Sequence, residues 1–140
     1  MAFLGKLQVK LDEKGRLFLP AKARAPLAEG AYLTGGQDHC LYLFGQDQFD
    51  QFCDDIREQT LEDMTPTDFD RVLFFTLTNP KLDKQGRLTI PQDLRKFAGL
   101  DREALVIGMP GRLELWDLEN WQNYSSTFFE LFASAKSRRG

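Results

Sequence analysis

The sequence predicts an α+β protein, rich in β-strand and built from two tandem copies of one unit with short helices. Three observations carry that expectation. A 14-residue segment starting at Leu11 recurs 71 residues later at Leu82. Apolar residues around it alternate with period two, as in half-buried strands. A proline then opens a short helical pattern in each copy. The first segment reads Leu11-Asp12-Glu13-Lys14-Gly15-Arg16-Leu17-Phe18-Leu19-Pro20-Ala21-Lys22-Ala23-Arg24. The second reads Leu82-Asp83-Lys84-Gln85-Gly86-Arg87-Leu88-Thr89-Ile90-Pro91-Gln92-Asp93-Leu94-Arg95, with half of the positions identical. The likeness resumes where Leu41-Tyr42-Leu43-Phe44 answers Leu113-Glu114-Leu115-Trp116, and where Phe49 and Phe52 answer Trp121 and Tyr124. A unit of about seventy residues or fewer buries little apolar surface alone, so the copies are expected to pack on each other, on other chains, or on both.

Each element has a local reason. Leu7, Val9 and Leu11 alternate with Gln8 and Lys10 and read as a strand. Asp12 stands where a carboxylate caps a turn by accepting an N–H two residues on, and Gly15 supplies the positive φ of a tight reversal. In the next strand Leu17 and Leu19 share one face, Arg16 and Phe18 the other; Leu88 and Ile90 likewise oppose Arg87 and Thr89. The arginine is therefore expected to project from the core at the edge of the loop. Pro20 and Pro91 suit the first position of a helix. The second of these helices, 92–98, should stop at Gly99, while Pro26 cuts the first short. Strand pairs follow around 32–33 and 41–43, and around 105–107 and 113–115, with Gly35-Gly36 and Pro110-Gly111 as turn signals. Asp47 and Asp117 are expected to open closing helices. Residues 67–75 fit either a helix or a strand, capped by Thr67 and ended before Asn79-Pro80. The tail beyond Phe132, with Lys136, Arg138 and Arg139, is expected to fray.

Composition removes several classes. The chain has 140 residues, 42% hydrophobic and 28% charged, which suits one compact domain or two very small ones. Met1 to Lys6 carry no apolar signal-type stretch, and no apolar run approaches the roughly 18 residues that cross a bilayer, so a cytoplasmic protein with no membrane partner is expected. Two cysteines, Cys40 and Cys53, and one histidine, His39, cannot build a four-ligand zinc site within the chain. No metal, cofactor or small-molecule substrate is expected.

A net charge of -3 argues against a nucleic-acid partner only on average. Residues 6–24 net +4 and residues 81–96 net +3, whereas residues 46–70 net -8. Such segregation is what an electrostatic footprint on an acidic protein looks like, although a solvated acidic helix beside ordinary loops gives the same count. The carboxylates of 46–70 read as a solvated helix face. For Arg16 and Arg87 the competing reading is an ion pair with Asp12 or Asp83 inside the turn. For Arg24, Arg95 and Lys96 it is a solvated helix face. His39 and Cys40 are adjacent and should point to opposite faces, which disfavours a nucleophile and base pair. Phe49, Phe52, Cys53 and Ile56 form a helical core stripe. The aromatics Phe74, Phe75, Trp116, Trp121, Phe128 and Phe129 read as core or subunit interface before they read as a base-stacking platform. No Ser-His-Asp set, phosphate-cradling glycine loop or metal spacing is present, so no catalytic residue is assigned and an enzyme is the weakest class.

A duplicated Leu-Asp-x-x-Gly-Arg-Leu-x-hydrophobic-Pro, each followed by an arginine four residues after the proline, resembles the MraZ family of bacterial transcriptional regulators, which are tandem SpoVT-AbrB (AbrB-like) domains. The resemblance covers roughly residues 3–124. It implies a β-rich swapped-hairpin barrel, with repeats at 3–53 and 80–125, an acidic and aromatic connecting segment at 54–79, and a tail at 126–140. It further implies a ring-like homo-oligomer that binds double-stranded DNA at promoter direct repeats upstream of the division and cell-wall operon, as a nucleoid-associated regulator. Carried over by position, Arg16 and Arg87 become the principal DNA contacts and Lys14 a further one, with Gln85 in the corresponding place of the second copy. Arg24, Arg95 and Lys96 match basic positions near DNA, and Asp12, Gly15, Asp83 and Gly86 shape the loops. The alternative is an antitoxin-type protein-binding module on the same fold, although the tail here is short for wrapping a toxin.

Overall fold

Strand β1 (Gly5–Lys10) is where the first alternating run leads, and its hydrogen-bonding partner lies in the other half of the chain. The structure is a computed structural model and describes residues 3–56, 58 and 61–136. After β1 come β2 (Arg16–Phe18), α1 (Ala21–Arg24) with a 3-10 turn at Ala25–Leu27, and β3 (Tyr32–Gly35). A second 3-10 turn, Gln37–His39, leads into β4 (Leu41–Phe44), α2 (Gln46–Ile56) and α3 (Pro66–Thr76). The second half follows with β5 (Arg87–Thr89), α4 (Gln92–Ala98), β6 (Glu103–Met109), β7 (Arg112–Asp117) and α5 (Leu118–Ser134). The protein is thus α+β, with antiparallel strands and mostly short helices.

Five strands form one sheet in the order β1-β6-β7-β4-β3, and β2 and β5 form a separate two-stranded ribbon. Pairing crosses between the copies at β1 with β6, at β4 with β7, and at β2 with β5. The segment before the second turn makes only a single bridge, Thr78 with Leu33, where the first half has the whole of β1. One core serves both copies. Leu17, Leu19, Leu33 and Leu43 pack with Leu88, Ile90, Leu94 and Val106, all buried, so neither unit closes an interior alone. A second cluster repeats one design twice. Phe44 holds Phe49 and Phe52 of α2 at ring distances of 5.5 and 4.6 Å, and Trp116 holds Trp121 and Tyr124 of α5 at 5.2 and 4.9 Å.

Several local expectations need adjusting. Residues 67–75 lie in helix α3, and its cap is Thr65, whose side chain accepts the Asp68 N–H, in place of Thr67. Pro66 then takes the first turn, where a missing N–H costs nothing. Pro20 and Pro91 sit one residue earlier than expected, at the N-cap, with extended ψ of 158° and 149°. Asp117 caps α5 through the Asn120 N–H, but Asp47 lies inside the first turn of α2, where Gln48 Oε1 accepts the Gly45 N–H instead. Gly99 ends α4 in the left-handed region at φ 65°. Helix α5 continues to Ser134, past Phe132, while Arg138 and Arg139 lie outside the described residues.

Candidate nucleic-acid interface

The two Asp-x-x-Gly-Arg segments fold into the same turn. Asp12 Oδ1 accepts the backbone N–H of Lys14 at 3.0 Å and of Arg16 at 2.9 Å, and its Oδ2 accepts Arg16 Nε at 2.6 Å. Asp83 repeats this with the Gln85 and Arg87 N–H groups at 2.9 and 2.8 Å and with Arg87 Nε at 2.7 Å. The Asp12 carbonyl accepts the Gly15 N–H, and the Asp83 carbonyl the Gly86 N–H, both at 3.0 Å. Closing these turns needs φ of 76° at Gly15 and 79° at Gly86, which residues with a Cβ rarely adopt. Both carboxyls are held below the ordinary aspartate value. The largest cause is the backbone N–H of Arg16 or Arg87; slight desolvation opposes it, and the arginine side chain adds to it.

The turns deliver the arginines to one surface. In the ribbon, Arg16 stands opposite Thr89 and Phe18 opposite Arg87, while the central pair, Leu17 and Leu88, is buried. Residues directly opposite, and those two apart on one strand, share a face. Arg16, Phe18, Arg87 and Thr89 therefore all point away from the core. Arg16 and Arg87 are diagonal neighbours, whose backbones in such ribbons lie about 7–8 Å apart.

The ion pairs of the competing reading are formed, Asp12 with Arg16 and Asp83 with Arg87, and the arginines also project outward: each side chain retains 30% exposure. An ion pair this exposed is screened by water and adds little stability, so its main effect is to aim the guanidinium. It engages Nε, and among the described residues no protein acceptor takes Nη1 or Nη2 of either arginine.

The other basic candidates divide into two groups. Lys14 and Lys96 are exposed, as is Gln85 in the second turn. Arg24 and Arg95 are part-buried, and each guanidinium lies against the turn glycine of the other copy. Neither arginine is simply part of a solvated helix face. Sequence reasoning, from the alternation, already put Phe18 on the face of Arg16 and Thr89 on that of Arg87, as found, but named neither as a site residue. It also missed a polar cluster on β7. Glu114, buried, accepts Arg112 Nη2 at 2.8 Å and Trp116 Nε1 at 3.1 Å, and the Arg112 guanidinium lies 4.2 Å from the centre of the Tyr42 ring. Cys40 is buried and His39 exposed, but they are not neighbours in a strand as expected: His39 ends the 3-10 turn with φ of 60° and Cys40 follows it ahead of β4; burial pushes the Cys40 thiol far up. No helix among the described residues is long and apolar enough to cross a membrane.

Two repeats sharing a core and presenting paired arginine turns on one ribbon define a duplicated α+β protein with an arginine-bearing display face. Comparison with known proteins gives the family. The family model described as "MraZ protein, putative antitoxin-like" matches twice, over residues 2–72 and 73–140. A protein of Kocuria rhizophila named Transcriptional regulator MraZ is 48% identical over 122 residues, covering 87% of this chain and 85% of its own. Proteins of the same name from Thermobifida fusca and Leifsonia xyli subsp. xyli are 44% and 43% identical, covering 94% and 96% of this chain and 92% and 94% of theirs. The chain belongs to the MraZ family.

Proposed function

We propose that the protein is a sequence-specific DNA-binding transcriptional regulator, a repressor that binds promoter direct repeats of the division and cell-wall operon as a ring-like homo-oligomer. The observation that carries this reading is the presentation of Arg16 and Arg87 on one outward face of the β2–β5 ribbon, each aimed by its own aspartate. A major groove admits a two-stranded ribbon, and an arginine edge pairs with guanine O6 and N7. Because each Asp–Arg pair is formally neutral, a turn offers a duplex oriented N–H donors more than net charge. Base discrimination of about 1–3 kcal/mol per bidentate contact is what such donors supply. Lys14 and Lys96 then serve as phosphate contacts. The names of the relatives, all Transcriptional regulator MraZ, support the same reading.

A single chain has few such contacts, and a ring of equivalent ribbons would multiply them through effective concentration. Two unpartnered apolar faces support assembly. Phe75 on α3 and Phe132 on α5 are 87% and 84% exposed, and Phe74, Phe128, Phe129 and Leu131 are between 49% and 61% exposed. Large apolar side chains exposed in numbers on one helix point to a protein interface. The interleaved pairing of the copies supports the swapped-hairpin barrel, with repeats at 3–53 and 80–125. The antitoxin-type alternative draws on the wording of the family description and would place a foreign protein on those same apolar faces.

The test is a gel-shift titration of the promoter upstream of the protein's own gene, across a salt series, with Arg16→Ala, Arg87→Ala and the double variant. Each single change should abolish selective binding while the oligomer mass in solution stays that of the unaltered protein. Selective binding at unaltered affinity by the double variant would remove both residues from the interface.

A further inference from the structure

Arg24 and Arg95 occupy equivalent places, four residues after the prolines, and each packs on the turn glycine of the other repeat. A Cβ built on Gly15 would lie 2.6 Å from Arg95 Cζ and Nε, and one on Gly86 would lie 2.6 Å from Arg24 Nη1 and 2.9 Å from its Cζ. Each turn glycine is buried, although the turn residues before it are exposed. The arginine of one repeat is the lid on the turn of the other. Short backbone links reinforce the exchange: the Ile90 N–H donates to the Gly15 carbonyl at 2.9 Å, and the Leu19 N–H donates to the Gly86 carbonyl at 3.0 Å. On one side the circuit closes, because Arg95 Nε donates to the Ile90 carbonyl at 3.0 Å. On the other side Arg24 Nε is buried without a hydrogen-bond partner, and the guanidinium sits 5.9 Å from the centre of the Phe18 ring.

We infer that Arg24 and Arg95 are positioning residues that latch the opposite repeat's turn and so hold Arg16 and Arg87 at a common height on the ribbon. A guanidinium lying on a glycine cannot swing to a phosphate without uncovering that glycine. Its flat face fills the space that the missing Cβ leaves, and a Lys ammonium has no such plane. The two turns are therefore set as a pair, and the turn under Arg95 is the more firmly held. The consequence for binding rests on the DNA reading given above; the latch itself does not.

The experiment uses the full-length chain with Arg95→Met, Arg24→Met and Arg95→Lys. The first readout needs no DNA: hydrogen–deuterium exchange of the turn amides 14–16 and 85–87, which bond to Asp12 and Asp83 within their own turns, leaving out the Leu19 and Ile90 amides that bond across to the opposite turn. Arg95→Met should raise exchange in the first turn at least severalfold and leave the second unchanged, and Arg24→Met should do the reverse with a smaller effect. General destabilisation would raise both turns together and would overturn the proposal, as would a change confined to each arginine's own repeat. The second readout is affinity for the promoter duplex across salt. Positioning predicts weaker binding with an unaltered slope of log K against log salt; direct phosphate binding predicts a slope shallower by about 0.9 for each phosphate that the variant no longer neutralises. Arg95→Lys should fail to restore either readout, and rescue by lysine would mean that charge alone matters. Should Arg95→Met not fold, the lysine variant carries the same exchange comparison. If the unaltered protein binds no duplex selectively, the regulator reading falls while the exchange result still decides the latch.

Discussion

Replacing Gly15 by alanine measures what a turn costs when it is both left-handed and lidded. Gly111 provides the reference, because it has φ of 88° and nothing within 4 Å of a built Cβ, so alanine there meets backbone strain alone. That strain is about 1–2 kcal/mol. At Gly86 the same strain applies, and Arg24 must shift, but its Nε has no hydrogen bond to lose. At Gly15 the displaced group is Arg95, whose Nε bond to the Ile90 carbonyl is charge-assisted and worth about 1.5–3 kcal/mol. Since Arg95 is part-exposed and water replaces some of that bond, Gly15→Ala should cost about 2–4 kcal/mol in all. Gly86→Ala should lie at least about 1 kcal/mol below it, near the Gly111→Ala value. Urea unfolding at one fixed protein concentration would measure this, the concentration being fixed because self-association adds to apparent stability. Equal losses at Gly15 and Gly86, or a larger loss at Gly86, would refute the unequal lids.

Two other outcomes follow from the same structure. Asp12 and Asp83 are held below the ordinary value of 3.8, so their contribution is fully present above that pH and is lost as pH falls through the depressed folded values; a carboxyl-carbon NMR titration should show both titrating below their unfolded counterparts, and ordinary midpoints would contradict the turn geometry. Glu114→Gln keeps an acceptor for Trp116 but removes the ion pair with Arg112, and should lower unfolding stability by about 1.5–3 kcal/mol without moving the exchange pattern of the two turns.

What the sequence made legible was local. Asp12 and Arg16, and Asp83 and Arg87, are four residues apart, and nearly every bond that shapes their turns lies within that span, so residue type and spacing suffice. The end of α4 at Gly99 and the cap of α5 at Asp117 were legible for the same reason. The misplaced cap of α3 shows the limit: Thr65 and Thr67 both qualify chemically, and Pro66, which belongs just inside a helix, decides for Thr65. Partner choice was not legible. Nothing near Arg16 says that its strand runs beside Thr89 instead of returning on its own half, and nothing near Arg95 says that it covers Gly15. Those pairings are fixed by which arrangement buries Leu17, Leu19, Leu88 and Ile90 together, a property of the whole chain.

The exchange of partners between halves also orders events during synthesis. When the first fifty or so residues leave the ribosome, at the general pace of about 5–20 residues per second, only the β3–β4 hairpin has its mate. The leading strand waits for Glu103–Met109, the outer edge of β4 for Arg112–Asp117 and the ribbon for Arg87–Thr89, so the nascent amino-terminal half spends seconds with three unsatisfied edges. A chain cut after its first repeat would keep those edges open, free to seek a second copy of itself or to aggregate.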